Sequence, residues 1–148
     1  MTPQLHIRPA KLEDAPDCAG MIDRWIETSD WLPRTRSYQD ILNRYQSFVI
    51  ENRTVWVADG NPLKGYISLN DDDGHVLALY SDPKRHGTGK ALLDHAKSDR
   101  DYLQLWTFAA NVDGRRFYER EGFVEVERTA GDNEENLPDI RYEWRRPQ

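Results

Sequence analysis

Lys84, Arg85, His86 and Lys90 bring four basic groups together within seven consecutive residues, with Gly87 and Gly89 among them. An apolar run over 75–81 precedes the cluster and ends at Pro83; Ala91, Leu92 and Leu93 follow it and begin a helical pattern over about 87–100. A strand, a glycine-bearing loop and a helix start, in that order, make an anion cradle. The first amides of a helix have no partner within it, and the helix dipole adds partial positive charge there. Glycine lets the backbone approach a phosphate closely. The chain carries 26 acidic and 20 basic residues, a net charge of -6, so the cluster is a local exception. It is too short for a nucleic-acid groove and large enough for a small phosphorylated ligand.

Two nucleotide motifs fail at this loop. A P-loop needs Gly-x-x-x-x-Gly-Lys-Ser/Thr, a spacing absent here. A dinucleotide fingerprint needs a third glycine where Leu92 stands. A second pattern lies downstream. A strand over 102–108 runs toward Asn111, and a helix over 112–121 ends at Gly122-Phe123. Asn111 and Tyr118 are seven residues apart and share a helix face. Taken alone, Asn111 reads equally well as an N-cap, and Phe117 and Tyr118 as core rings.

The rest of the chain supplies the frame. Residues 5–7 form a short first strand, Glu13-Asp14 open a helix, and Ser37 caps a second helix with a stripe of Ile41, Leu42 and Tyr45. Strands over 54–58, 63–69 and 75–81 are separated by Asp-Gly-Asn-Pro and Asp-Asp-Asp-Gly turns, which spells an antiparallel meander. Strands over 123–128 and 140–144 close the chain. Strand, helix, strand in the middle implies one parallel, right-handed crossover. The whole is one α+β domain, residues 1–148, with a mixed sheet.

A single cysteine, Cys18, excludes an internal disulfide and a Cys-based zinc site, and His6 and His95 lack ligand-spaced partners, so no metal is expected. The amino terminus lacks the apolar run of a signal peptide, and the longest strongly apolar stretch, about 76–80, is too short to span a bilayer. Neither nucleic acid nor membrane is an expected partner, and a cytoplasmic setting is the default.

Together the two motifs resemble the GNAT superfamily of acetyl-CoA-dependent N-acetyltransferases. The 84–90 loop is similar to the family's acyl-CoA loop, Gln/Arg-x-x-Gly-x-Gly/Ala, with Lys84 at its first position. Asn111, Phe117, Tyr118, Gly122 and Phe123 are similar to its Asn-x(6)-Tyr helix followed by Gly-Phe. The order of elements matches over nearly the whole chain. The resemblance implies a mostly antiparallel sheet of about seven strands flanked by about four helices, with the parallel pair splayed to form the acyl-CoA cleft. It implies that Leu79, Tyr80 and Ser81 pair with pantetheine. Lys84, Arg85, His86, Gly87, Thr88, Gly89 and Lys90 would hold the diphosphate, and Asn111 and Tyr118 would border the site. Tyr118 is implied as general acid and His75 as base.

Trp25 and Trp31 fall where the family covers its acceptor. Glu134 and Glu135 belong to a loop, 131–139, with four carboxylates and no basic residue. That loop would favour a small, cationic primary amine; Asp71, Asp72 and Asp73 would add to the field if the fold brought the two turns together. The acceptor stays open among small amines, antibiotics, polyamines, amino acids and protein termini, and the acyl group between acetyl and longer chains. Homodimers are common in the family. The alternative is a CoA-binding sensor without turnover, which would have no need of an acid beside the sulfur.

Overall fold

The structure, a computed structural model, describes residues 5–81 and 87–148. Its strands are β1 (Ile7–Pro9), β2 (Thr54–Ala58), β3 (Gly65–Asn70), β4 (His75–Ser81), β5 (Tyr102–Phe108), β6 (Val124–Thr129) and β7 (Asp139–Arg145). Its helices are α1 (Ala15–Thr28), α2 (Tyr38–Arg44), α3 (Ile50–Asn52), α4 (Thr88–Ser98) and α5 (Val112–Arg120). A π-helical turn, Tyr45–Val49, joins α2 to α3 without a break. The seven strands form one sheet in the order β1-β2-β3-β4-β5-β7-β6. Only β4 and β5 run parallel.

This is the α+β architecture expected from the sequence, and β2, β4 and β5 have the expected bounds. β6 and β7 start within one residue of expectation, and the two larger differences, at β1 and β3, have local reasons. The first strand lies at Ile7–Pro9 instead of 5–7, because an edge strand tolerates a proline that has no N–H to give. β3 begins two residues late: the Leu63 amide donates to Asp17 Oδ2 at 3.1 Å and the Lys64 amide to the Ala58 carbonyl at 2.9 Å, which spends both in the turn.

Helices cover both faces. On one, Leu92, Leu93 and Ala96 of α4 bury against Ile67, Leu103, Leu105 and Ile140. On the other, Ala15, Cys18 and Ala19 of α1 and Ile41 and Tyr45 bury against Val55, Val57 and Tyr66. α4 lies close on the sheet because β3 starts with Gly65. A Cβ there would stand 2.7 Å from the Tyr80 carbonyl oxygen and 2.9 Å from Thr88 Cγ2.

α5 is fixed at both ends. Asn111 Oδ1 accepts from the Gly114 amide at 3.1 Å, and Asn111 Nδ2 donates to Thr107 Oγ1 at 3.2 Å. At the far end Gly122 takes φ +92°, and the Phe123 amide donates to the Tyr118 carbonyl at 3.0 Å. That is a Schellman closure, which needs a residue at ease with positive φ.

Candidate active site

β4 and β5 pair at one position only, His75 with Gln104. There the Gln104 amide donates to the Gly74 carbonyl at 2.9 Å, and its side-chain Nε2 to the Asp73 carbonyl at 2.9 Å. Beyond this stitch β4 stays on β3 as far as Ser81, while β5 pairs along its length with β7. The parallel pair opens into a cleft of about 1510 Å³, lined from both faces of the sheet. Each arm of the V keeps one backbone edge without a strand partner.

The orientation of that edge follows from the ladder. Tyr80 turns its carbonyl toward β3, where it stands against Gly65. Backbone groups alternate along an antiparallel strand. Leu79 and Ser81 therefore face the gap with their amides and carbonyls. Of the three residues expected to pair with an extended ligand, these two turn their main-chain groups to the gap and Tyr80 turns its own to β3.

On the α4 side, Gly87, Gly89 and Lys90 line the cleft. Gly87 caps α4 at φ +80°, and its carbonyl accepts from the Ala91 amide at 3.0 Å, so α4 begins at the cleft wall. Thr88 points elsewhere: its side chain is buried in the contact with Gly65, and only its backbone belongs to the helix start. Lys90 Nζ bridges Glu121 at 3.1 Å and Asp94 at 3.3 Å. Lys84, Arg85 and His86 lie outside the described residues.

Tyr118 lines the cleft from α5, half-buried. Its ring meets Phe117, Phe123 and Tyr142 with centroids 5.3, 5.7 and 6.5 Å away. Among the described residues its hydroxyl has no hydrogen-bond partner, and burial pushes it up to about 12. The group is thus a proton donor throughout the neutral range. Asn111 also borders the cleft, but both ends of its amide serve the start of α5. Sequence reasoning missed the clamp on the other end of this helix. Lys97 Nζ donates to the Glu121 carbonyl at 2.6 Å, and Lys90 takes the carboxylate of the same residue. The two lysines tie α4 to the end of α5 that carries Tyr118.

On the α1 side, four rings bridge the open V. Tyr80 of β4 meets Trp25 at 5.5 Å, Trp25 meets Trp31 at 5.8 Å, and Trp31 meets Phe108 of β5 at 5.7 Å. Trp25 lines the cleft and Trp31 stands behind it. Glu134 and Glu135 line the same end, and Arg36 reaches Glu134 at 3.3 Å. Burial, with Tyr45, Tyr118 and Glu135, pushes the Tyr80 hydroxyl up. Phe108 and Arg36 carried no local sign of this place: their partners lie at least 77 positions away in the chain.

Two expectations need adjustment. His75 is not part of the cleft wall: it sits at the closed end of the V, half-buried, four positions before Leu79. Burial holds its imidazole below the ordinary value; Asp73 opposes this and Arg53 adds to it. Asp71, Asp72 and Asp73 do not join the field of the 131–139 loop. They turn at the start of β4, whereas that loop meets the far end of β5, and Asp71 is held by Arg100 at 2.7 Å. Among the described residues no three His, Cys, Asp or Glu side chains gather as a metal site would require, and no helix is long and apolar enough to cross a membrane.

Comparisons place these features among known proteins. A family model described as "Acetyltransferase (GNAT) domain" matches residues 34–145. Peptidyl-lysine N-acetyltransferase YiaC of Escherichia coli (strain K12) is 27% identical over 146 residues, covering 93% of this chain and 95% of that one. The solution structure of apo YjaB from Escherichia coli has a TM-score of 0.77 at 22% identity, over 96% of this chain and 98% of that one. A PaiA N-acetyltransferase from Thermoplasma acidophilum, in complex with coenzyme A, has a TM-score of 0.75 at 21% identity, over 97% of this chain and 100% of that one. With the family match spanning most of the sequence and the splayed sheet in place, this chain belongs to the GNAT acetyltransferase family.

Proposed function

We propose that the chain is an acetyl-CoA-dependent N-acetyltransferase that moves the acetyl group to a primary amine by direct transfer. The observation that carries this function is the open V itself. It joins an unpaired strand edge, the start of α4 and the Tyr118 hydroxyl in one cleft. A pantetheine arm would pair with Leu79 and Ser81 as an added strand. The diphosphate would take the first amides of α4, with Lys90, and the basic side chains of Lys84, Arg85 and His86 would add charge. The amine would arrive from the opposite face, past Trp25, Trp31, Glu134 and Glu135. A relative named for peptidyl-lysine, itself a primary amine, supports that acceptor chemistry.

The chain's part in the transfer is then positioning and proton movement. The amine lone pair forms the C–N bond as the C–S bond breaks. Tyr118 gives its proton toward the departing sulfur. The proton released from nitrogen goes to His75 through water, since His75 stands outside the cleft wall. Steady release of free thiol from acetyl-CoA on adding a primary amine, with one acetylated amine per thiol, tests the function. Thiol release that ignores the amine would overturn it. The same assay addresses His75. A base must be neutral to act, and this imidazole titrates below its ordinary value of 6.5. The acidic limb of kcat/KM therefore falls below that pH, and His75→Ala removes it. A limb that is unchanged in the variant assigns the proton elsewhere.

A further inference from the structure

Lys97 stands in the last turn of α4, seven residues after Lys90 and on the same helix face. The two side chains end differently. Lys90 is exposed and pairs with carboxylates, whereas Lys97 is half-buried and forms no ion pair among the described residues. Its ammonium lies over two rings, 5.6 Å from the Phe123 centroid and 5.1 Å from that of Trp144, and donates to the Glu121 carbonyl at 2.6 Å. Burial pulls the Lys97 pKa down; Glu121 and Asp94 oppose this and Lys90 adds to it. The cation has given up water there, and the ring faces and one carbonyl take its place. The Lys97 carbonyl accepts from Arg146, so its backbone is tied to the residue after β7 as well.

Glu121 and Phe123 both bear on Tyr118. Glu121 is the C-cap of α5, and its amide donates to the Phe117 and Tyr118 carbonyls at 3.0 and 3.1 Å. Its own carbonyl is one of those that a helix end leaves without a partner inside the helix. Lys97 supplies that partner from α4, at the end where the helix dipole favours a cation. Phe123 is buried; its amide donates to the Tyr118 carbonyl at 3.0 Å, and its ring stands 5.7 Å from the Tyr118 ring. The Tyr118 hydroxyl has no hydrogen-bond partner among the described residues, so the packing of its ring is what aims it. One ammonium thus holds both the turn behind Tyr118 and a ring beside it.

We propose that Lys97 is a positioning residue for acetyl transfer and acts through Tyr118. Lys97 does not line the cleft, so it has no contact to make with coenzyme or amine. Its ammonium fixes the last turn of α5 and the Phe123 ring, and these set where the Tyr118 hydroxyl meets the charge growing on sulfur. Placement counts because a shift of about 1 Å at a reacting group can cost roughly 10²-fold in rate. This inference rests on the acid role of Tyr118 in the function proposed above.

The test is steady-state thiol release from acetyl-CoA, with butylamine and Nα-acetyl-lysine amide as the primary amines. Lys97→Met keeps most of the stem and removes the ammonium. It lowers kcat roughly tenfold and leaves the acetyl-CoA KM nearly unchanged, the split expected when only transition-state contacts are lost. Lys97→Arg keeps the charge and its donors, and it returns kcat to within about threefold of wild type. A double-mutant cycle separates positioning from general support of the fold. In a Tyr118→Phe background Lys97→Met changes kcat by no more than about twofold, because the hydroxyl it would aim is gone; independent effects would multiply instead. Lys97→Gln, a milder change that keeps a neutral donor, gives the same cycle should Lys97→Met not fold. An unchanged kcat in the Lys97 variant, or the same fold-loss in both backgrounds, overturns the positioning role and leaves the proposed function standing. Thiol release by wild type with neither amine, or release that ignores the amine, overturns the proposed function and this inference with it.

Discussion

Replacing Tyr118 by Phe lowers kcat by roughly 10²-fold and leaves the acetyl-CoA KM nearly unchanged, as expected for a group that acts in the transition state. The substitution removes one oxygen and keeps the ring. Its ring contacts with Phe117, Phe123 and Tyr142 survive in the variant, the last two holding α5 to the sheet side. The lost hydroxyl has no protein partner among the described residues, so no hydrogen bond of the fold goes with it. Protonation sets the rest of the expectation. Burial moves this hydroxyl up to about 12, so it keeps its proton at every working pH. A free thiol titrates near about 8.5, so full transfer to a relaxed thiolate is uphill. The hydroxyl therefore helps most while negative charge is growing on sulfur, as a donor already aimed at it. Wild type should show no loss of kcat from Tyr118 ionisation below about pH 11. A Phe variant with full kcat would reduce Tyr118 to packing.

Gly87→Asp abolishes the rise in melting temperature that acetyl-CoA gives the native chain. A ligand at a hundredfold its Kd adds about 2.7 kcal/mol to stability, which is several degrees for a domain of this size. Among the described residues, a Cβ added at Gly87 would meet no atom within 4 Å, so crowding at that carbon does not decide the outcome. Charge does. The aspartate sets a carboxylate at the start of α4, where free amides and the dipole attract it, and it competes with a phosphate for the same place. Gly87→Ala is the control. It carries the same backbone strain at φ +80°, about 1–2 kcal/mol, without the charge. It lowers the unliganded melting point yet keeps the acetyl-CoA shift. Equal shifts in wild type and Gly87→Asp would remove α4 from the binding account.

What could be read from the sequence was what local chemistry encodes. The α5 pattern is complete within thirteen residues: a capping Asn111, a helical face ending at Tyr118, and a Gly122 whose positive φ closes the helix. The Asp-rich and Gly-Asn-Pro turns delimit β2 and β4 for the same reason. Side-chain roles were harder to read. Thr88 sits within the loop motif yet spends its side chain on Gly65, because close packing of α4 on β3 demands it. Asn111 spends its amide as a cap. The ion pair Arg36–Glu134 spans 98 positions, and no periodicity or turn signal links residues so far apart. The distance of Asp71–Asp73 from the acidic loop is likewise a property of strand direction, which fixes the end of the sheet each turn occupies.

Acetyl-CoA is expected to lie in the gap between β4 and β5, along the free edge of β4. Amide hydrogen exchange, residue by residue, with and without acetyl-CoA, tests it most directly, since a new hydrogen bond slows exchange at the amide that makes it. Leu79 and Ser81 should exchange at least about tenfold more slowly with the ligand, with the first turn of α4, while β1 and β6 at the sheet edges stay unchanged. Unaltered exchange at Leu79 and Ser81 under saturating acetyl-CoA would contradict the account.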